Sequence, residues 1–104
     1  MAELRVEIVR FVDDHQPGVV TCEFTDADEN RHTIIEKVPV VSRERLNNKS
    51  RYPRLGGVRC RILDRFSRSD GVKVMRISTG SPDHVKTVEG RTEFLVVASD
   101  VDER

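Results

Sequence analysis

Tryptophan is absent from the sequence, tyrosine occurs once (Tyr52) and cysteine only twice (Cys22 and Cys60). Scarce aromatics argue against a sequence-tolerant platform for single-stranded nucleic acid, which stacks bases on such rings. Neither cysteine belongs to a CxxC pair, so redox chemistry and thiolate metal sites have no support. No apolar run approaches the roughly 18 residues that a membrane-spanning helix needs. The start, Met1-Ala2-Glu3-Leu4-Arg5, lacks the apolar core of a secretion signal. The expectation is a cytoplasmic chain with no membrane partner and two reduced thiols. Gly56-Gly57 and Ser78-Thr79-Gly80-Ser81 lack the spacing and the following helix of a phosphate-cradling loop. No net charge is present either, because 18 basic residues balance 18 acidic ones.

What is present is a β-rich apolar set. Val and Ile total 21 residues, against 8 for Leu and Ala. β-Branched side chains lose rotamer freedom in helices and pack well on pleated sheets. A chain of 104 residues suffices for one core and no second. The expectation is one domain spanning 1–104, with 100–104 as a frayed tail.

Seven strand-like segments alternate with turn chemistry. In the first, about Leu4 to Val12, the apolar phase passes from Leu4, Val6 and Ile8 to Val9 and Phe11. That switch predicts a bulge or burial on both faces. Pro17-Gly18 suits the centre of a type II turn. The second strand, Val19 to Phe24, aims Val20, Cys22 and Phe24 one way. The third, Arg31 to Lys37, places His32 on the polar face and is expected to continue through Val38-Pro39-Val40-Val41. Pro39 marks that end as an edge or bulge. Ser42 to Gly57 is a long connection in which Ser42 could cap a short helical turn. The fourth strand, Val58 to Phe66, points Val58, Cys60, Ile62 and Phe66 inward and Arg59, Arg61 and Arg65 outward. Asp70-Gly71 signals a hairpin into Val72 to Thr79. A two-residue turn there sets Asp64 opposite Ile77, and a neighbouring register pairs it with Arg76. Glu89-Gly90 predicts a second hairpin, Val85–Val88 with Arg91–Ala98, setting Lys86 opposite Glu93 and Val85 opposite Phe94. Together the segments predict an all-β fold. It is a small, mostly antiparallel β-barrel of six or seven strands, with a sandwich as second choice.

Residues that could carry chemistry are few. Asp26-Ala27-Asp28-Glu29-Asn30 begins like a calcium loop, but Arg31 and Lys37 stand where Gly and a bidentate Glu belong. No histidine pair has metal-ligand spacing, so neither a metal nor a cofactor is expected. Asp13, Asp14 and His15, with His84, form the one acid–base set a small hydrolase or isomerase could use. Cys22 and Cys60 fall on the apolar phase of their strands, where a thiol behaves as a small hydrophobe.

The charge is segregated along the chain. Arg43 to Arg68 holds nine positive residues opposed only by Glu44 and Asp64, which leaves +7. Residues 1–42 carry −5 and residues 69–104 carry −2. Arginine supplies eight of the nine, and its planar fork suits carboxylate and phosphate. The candidate binding residues are Arg51, Tyr52, Arg54, Arg59, Arg61 and Arg65. The competing reading is a lattice of weak ion pairs with the acidic strands.

Val74-Met75-Arg76-Ile77-Ser78-Thr79, Pro82-Asp83, Val88-Glu89-Gly90 and Thr92-Glu93-Phe94, with Ile35 to Val41, resemble short bacterial β-domain proteins to which no activity is assigned. That resemblance implies a free-standing β-domain and carries over no catalytic residue. In fold alone the pattern is similar to small barrels appended to translation factors, an analogy that brings no function. The leading expectation is a non-enzymatic binding module whose Arg-rich loop and strand face meet an acidic protein surface. A nucleic-acid-binding barrel and a small Asp/His enzyme are the alternatives.

Overall fold

The computed structural model describes residues 1–103. Seven antiparallel strands form one sheet curled through 282° into a half-barrel. They are β1 (Ala2–Asp13), β2 (Val19–Thr25), β3 (Arg31–Lys37), β4 (Arg54–Ser67), β5 (Lys73–Ser78), β6 (Glu93–Val97) and β7 (Val101–Glu103). The order is β3-β2-β1-β4-β5-β6, and β7 pairs with β1. β1 is the spine. One edge bonds β4 along Ala2–Ile8, and the other bonds β7 at Ala2–Leu4 and β2 at Glu7–Asp13. The segment 42–53 carries the chain from β3 to the far side of β1, as the long connection in the sequence implies. No helix among the described residues is long and apolar enough to cross a membrane.

The core follows the predicted alternation. Leu4, Val6 and Ile8 from β1, Val20, Cys22 and Phe24 from β2, and Val58 and Cys60 from β4 are all buried. The phase switch in β1 is a bulge. Ile8 faces Cys22 and Arg10 faces Thr21, so Val9 has no partner and Phe11 takes over the inward direction.

A bulge in β4 changes what the sheet presents. Ile62 pairs with Ile77 and Asp64 with Arg76, leaving Leu63 unpaired. Cross-strand partners share a face. Arg61 therefore stays outside with Ser78, whereas Arg65 joins Met75 on the inner side and Phe66 turns out, 46% exposed. The single outward row Arg59, Arg61, Arg65 does not form, and Phe66 is not core. The register is the Asp64–Arg76 one, because Arg68 and Val72 close a three-residue turn around Gly71.

Five other expectations are corrected. Val38–Val41 is one helical turn, α1, with Pro39 in its first turn, where a missing N–H is harmless. Ser42 lies just after α1, and its Oγ accepts from Glu44 N–H instead of opening a helix. The turn before β2 closes from Gly18 N–H to the His15 carbonyl around a cis Gln16–Pro17 bond, so Gly18 follows its centre. Val85–Val88 is not a strand. β6 pairs with β5 instead, from Val74–Val97 to Ser78–Glu93, a longer register that buries Phe94 and Val96 beside Ile77 and Met75. The Gly90 turn survives, closed between Thr87 and Arg91. The tail is ordered as β7, with Val101 buried.

The half-barrel is bridged by loops between its edges. Val88 N–H donates to the Thr33 carbonyl of β3, and Ala27 N–H to the Leu95 carbonyl of β6. Val85 and Thr87 plug that gap with buried side chains.

Candidate binding surface

The connection before β4 is a braced loop. Tyr52 Oη donates to the Asn47 carbonyl at 2.7 Å, and Ser50 N–H donates to the same oxygen. Asn47 N–H donates to Ser50 Oγ, and Lys49 N–H to Asn47 Oδ1. Leu46 anchors the base in the core, and the half-buried Tyr52 ring packs against the same cluster. Such local bonding recruits Asn and Ser to turns, where they satisfy backbone groups that no ladder serves. Arg45, Lys49 and Arg51 are exposed on this frame, and none has an ion pair among the described residues. Arg54 closes the loop with a 2.9 Å pair to Glu44. Residues 43–54 carry five positive charges against Glu44 alone.

The other predicted arginines go elsewhere. Arg59 forks onto both oxygens of Asp83, and Arg65 onto both oxygens of Glu103. The guanidinium of Arg65 holds the Glu103 carboxyl below its ordinary value. Arg68 takes Asp28, and Arg43 reaches Glu3 at 3.6 Å. Arg61 is exposed with no ion pair among the described residues. Folding thus neutralises Arg59, Arg65 and Arg68 with acids from distant segments, and leaves the loop basic. Of the six candidates, Arg51, Tyr52 and Arg54 belong to one loop. Arg59 and Arg61 lie along β4, and Arg65 faces the other side.

The Asp/His set is split. Asp13 Oδ1 accepts from both His15 N–H and the imidazole Nδ1, 2.9 Å each, in an exposed turn beside Asp14. Those bonds lower the Asp13 pKa and raise that of His15. The three side chains lie close enough to share an ion, but nothing shields them from water. His84 sits in another turn, next to the Asp83 that holds Arg59. Arg59 faces Glu3, ten residues along β1 from Asp13, roughly 30 Å of strand.

His32 departs most from expectation. It is buried, 4% exposed, between the rings of Phe24 and Phe94, each about 5 Å away. Its Nε2 bonds Asp26 Oδ2 at 2.7 Å, and its Nδ1 has no partner. Burial tends to raise the Asp26 pKa, but bonds from His32 and from the Asn30 and Asp28 amides overcome it, and the net shift is downward. Asp26 thus holds its own loop closed, and the partial calcium motif is a structural turn. Desolvation pushes the Cys22 thiol up to about 12 and Cys60 to about 11. Both are buried, as their phase predicts.

Two grooves flank the start of β4, one of about 430 Å³ and one of about 590 Å³. Both are lined by Arg5 and Leu55. Sequence reasoning missed them by placing Leu55-Gly56-Gly57 in a loop. In a strand, the Leu55, Gly57, Arg59 alternation points Leu55 outward beside a residue with no side chain. Comparisons with protein families, with curated proteins and with solved structures find no match.

Proposed function

We propose that this chain is a non-enzymatic binding module that engages an acidic protein surface through the braced loop 43–54. The observation that carries the reading is the loop itself. Arg45, Lys49 and Arg51 stand unpaired on a frame fixed by Asn47, Ser50 and Tyr52. Elsewhere Arg31, Arg59, Arg65 and Arg68 are matched to carboxylates across the fold, and Arg5, Arg10 and Arg61, which have no such pair among the described residues, are spread along β1 and β4 and not gathered on one loop. A loop ordered before binding loses little entropy on docking. Guanidinium forks serve carboxylates and phosphates alike, but the one tyrosine of the loop is committed to bracing, which leaves the loop no free ring to stack a base.

The test is anisotropy titration of two labelled probes, an acidic glutamate peptide and a single-stranded oligonucleotide, against the protein and an Arg45→Glu/Lys49→Glu/Arg51→Glu variant. The expected result is peptide binding that weakens with salt and is lost in the triple variant. Tighter binding of the oligonucleotide would move the reading to nucleic acid. Binding of neither probe would overturn it.

A further inference from the structure

The second half of β4 is a sheet edge without a partner strand. Its pairing with β1 ends at Cys60, and residues 61–67 are paired only with β5 among the described residues. Arg68 N–H donates to the Val72 carbonyl, so Arg68, Phe66 and Asp64 turn their backbone groups toward β5. Arg65 and Ser67, in alternation, turn theirs to the open side. The Arg65 amide agrees, since it donates to Asp64 Oδ1 at 2.9 Å and not to a strand. Asp64, Arg65, Phe66 and Ser67 are all exposed, although successive residues point to opposite faces.

The outer face of this edge is complementary to itself. Phe66, 46% exposed, is paired with Val74, and Val74 with Val97. Val74 is buried apart from the central core cluster, so the three form a separate apolar stripe that stops at Phe66, on the open edge. Asp64 and Arg68 stand two residues before and after Phe66 on the same face. Two copies of such an edge can meet antiparallel in several registers. Centring on Asp64 or on Arg65 sets like charges face to face, which is unfavourable. Centring on Ser67 leaves the two rings apart. Centring on Phe66 sets ring against ring and, on both sides of it, Asp64 against Arg68.

We infer that this edge takes the same edge of a second copy of the chain, antiparallel, with Phe66 on the two-fold axis. Arg65 N–H then donates to the Ser67 carbonyl of the second copy, and Ser67 N–H to its Arg65 carbonyl. Asp64, released from the Arg65 amide, lies opposite Arg68 of the second copy. The neighbouring charges are matched within each copy, Arg65 on Glu103, Arg68 on Asp28 and Arg76 on Glu93, and Lys73 lies across from Ser67 on the β5 side. The apolar stripe becomes continuous through both sheets. Both copies use one patch, so the assembly closes at two. The basic loop enters β4 at its opposite end, at Arg54, and takes no part.

Sedimentation equilibrium of the full chain is the test. The mass is expected to rise from monomer to dimer between about 10 μM and 1 mM, the range of a small interface. Ser67→Pro removes an edge donor that the monomer does not use, and is expected to hold the chain monomeric throughout. Phe66→Glu serves as the second variant with the same expectation, and circular dichroism checks that each is folded. Cross-linking under oxidised glutathione reads the register. Phe66→Cys is expected to form a disulfide-linked dimer, because its two copies meet on the axis. Asp64→Cys is not, because its two copies lie about four residues out of line, roughly 13 Å apart. Cys22 and Cys60 are buried and do not compete. A parent chain that stays monomeric to about 1 mM, equal cross-linking at positions 64 and 66, or dimerisation that survives both Ser67→Pro and Phe66→Glu overturns the inference and leaves the basic-loop reading standing.

Discussion

Single residues decide whether charge and polarity are tolerated inside this sheet. His32 alternates with the exposed Arg31 and half-buried Thr33, and nothing in its own segment distinguishes an inward from an outward imidazole. What turns it inward is Asp26, six residues earlier, whose Oδ2 lies 2.7 Å from Nε2. The same carboxylate takes the amides of Asp28 and Asn30. Removing it would strand three donors, and buried unpaired donors cost about 1–3 kcal/mol each where water cannot replace the bond. Because the Asp26 pKa is lowered from its ordinary 3.8 in the fold, the folded state binds that proton more weakly than the unfolded chain does. The stability it confers is complete above about pH 4 and is lost as pH falls through the lowered folded value. Asp26→Asn should flatten the decline of the urea midpoint between pH 4 and pH 2 relative to the parent. An unchanged acid limb would show that the pair does not govern it.

Whole elements are set by which pairings compete. Glu89-Gly90 lies in a turn, but one of three residues closed between Thr87 and Arg91 in place of the expected two-residue one, and the strand before it does not form. Four residues beginning after Pro82 offer a short ladder, while β5 offers β6 five partners and a place for Phe94 in the core. The bulge at Leu63 is equally invisible locally, because Ile62 and Leu63 are both apolar and either phase reads sensibly. It is imposed by β5, whose Met75 and Ile77 are both buried. At the C-terminus the segment reads as frayed because Asp102, Glu103 and Arg104 are charged. One buried Val101 and three backbone pairings with β1 order it. Removing residues 101–104 should therefore lower stability by about 2–4 kcal/mol, from the lost valine burial, the lost pairing and the freed Arg65. Urea unfolding measures it. A loss under about 0.5 kcal/mol, the size of an ordinary surface change, would return the tail to a decorative role.

For the molecule as a whole, a net charge of zero conceals two different arrangements. Several arginines are matched with acids from distant segments, as Arg59 is with Asp83 and Arg65 with Glu103. Arg45, Lys49 and Arg51 of the loop are left over among the described residues. The matched pairs are largely exposed and contribute little individually. Raising salt from about 0.05 to 0.5 M should therefore change the unfolding free energy by less than about 1 kcal/mol, while weakening acidic-peptide binding severalfold. Parallel loss of both would mean that the exposed pairs, and not the core, hold the half-barrel together.

The sequence by itself determined the β class, the inward residues of β1, β2 and the first half of β4, and the existence of a basic stretch. These follow from side-chain volume, branching and a period of two, which are properties of the local chain. The loop candidates Arg51, Tyr52 and Arg54 were legible for the same reason, since Asn47, Ser50 and Pro53 mark their turn. The tertiary structure alone decided which arginines are neutralised, on which face Arg65 and Phe66 lie, and that Leu55 is left exposed. Each of these depends on what a distant strand places opposite, and one unpaired residue in a ladder exchanges the two faces beyond it.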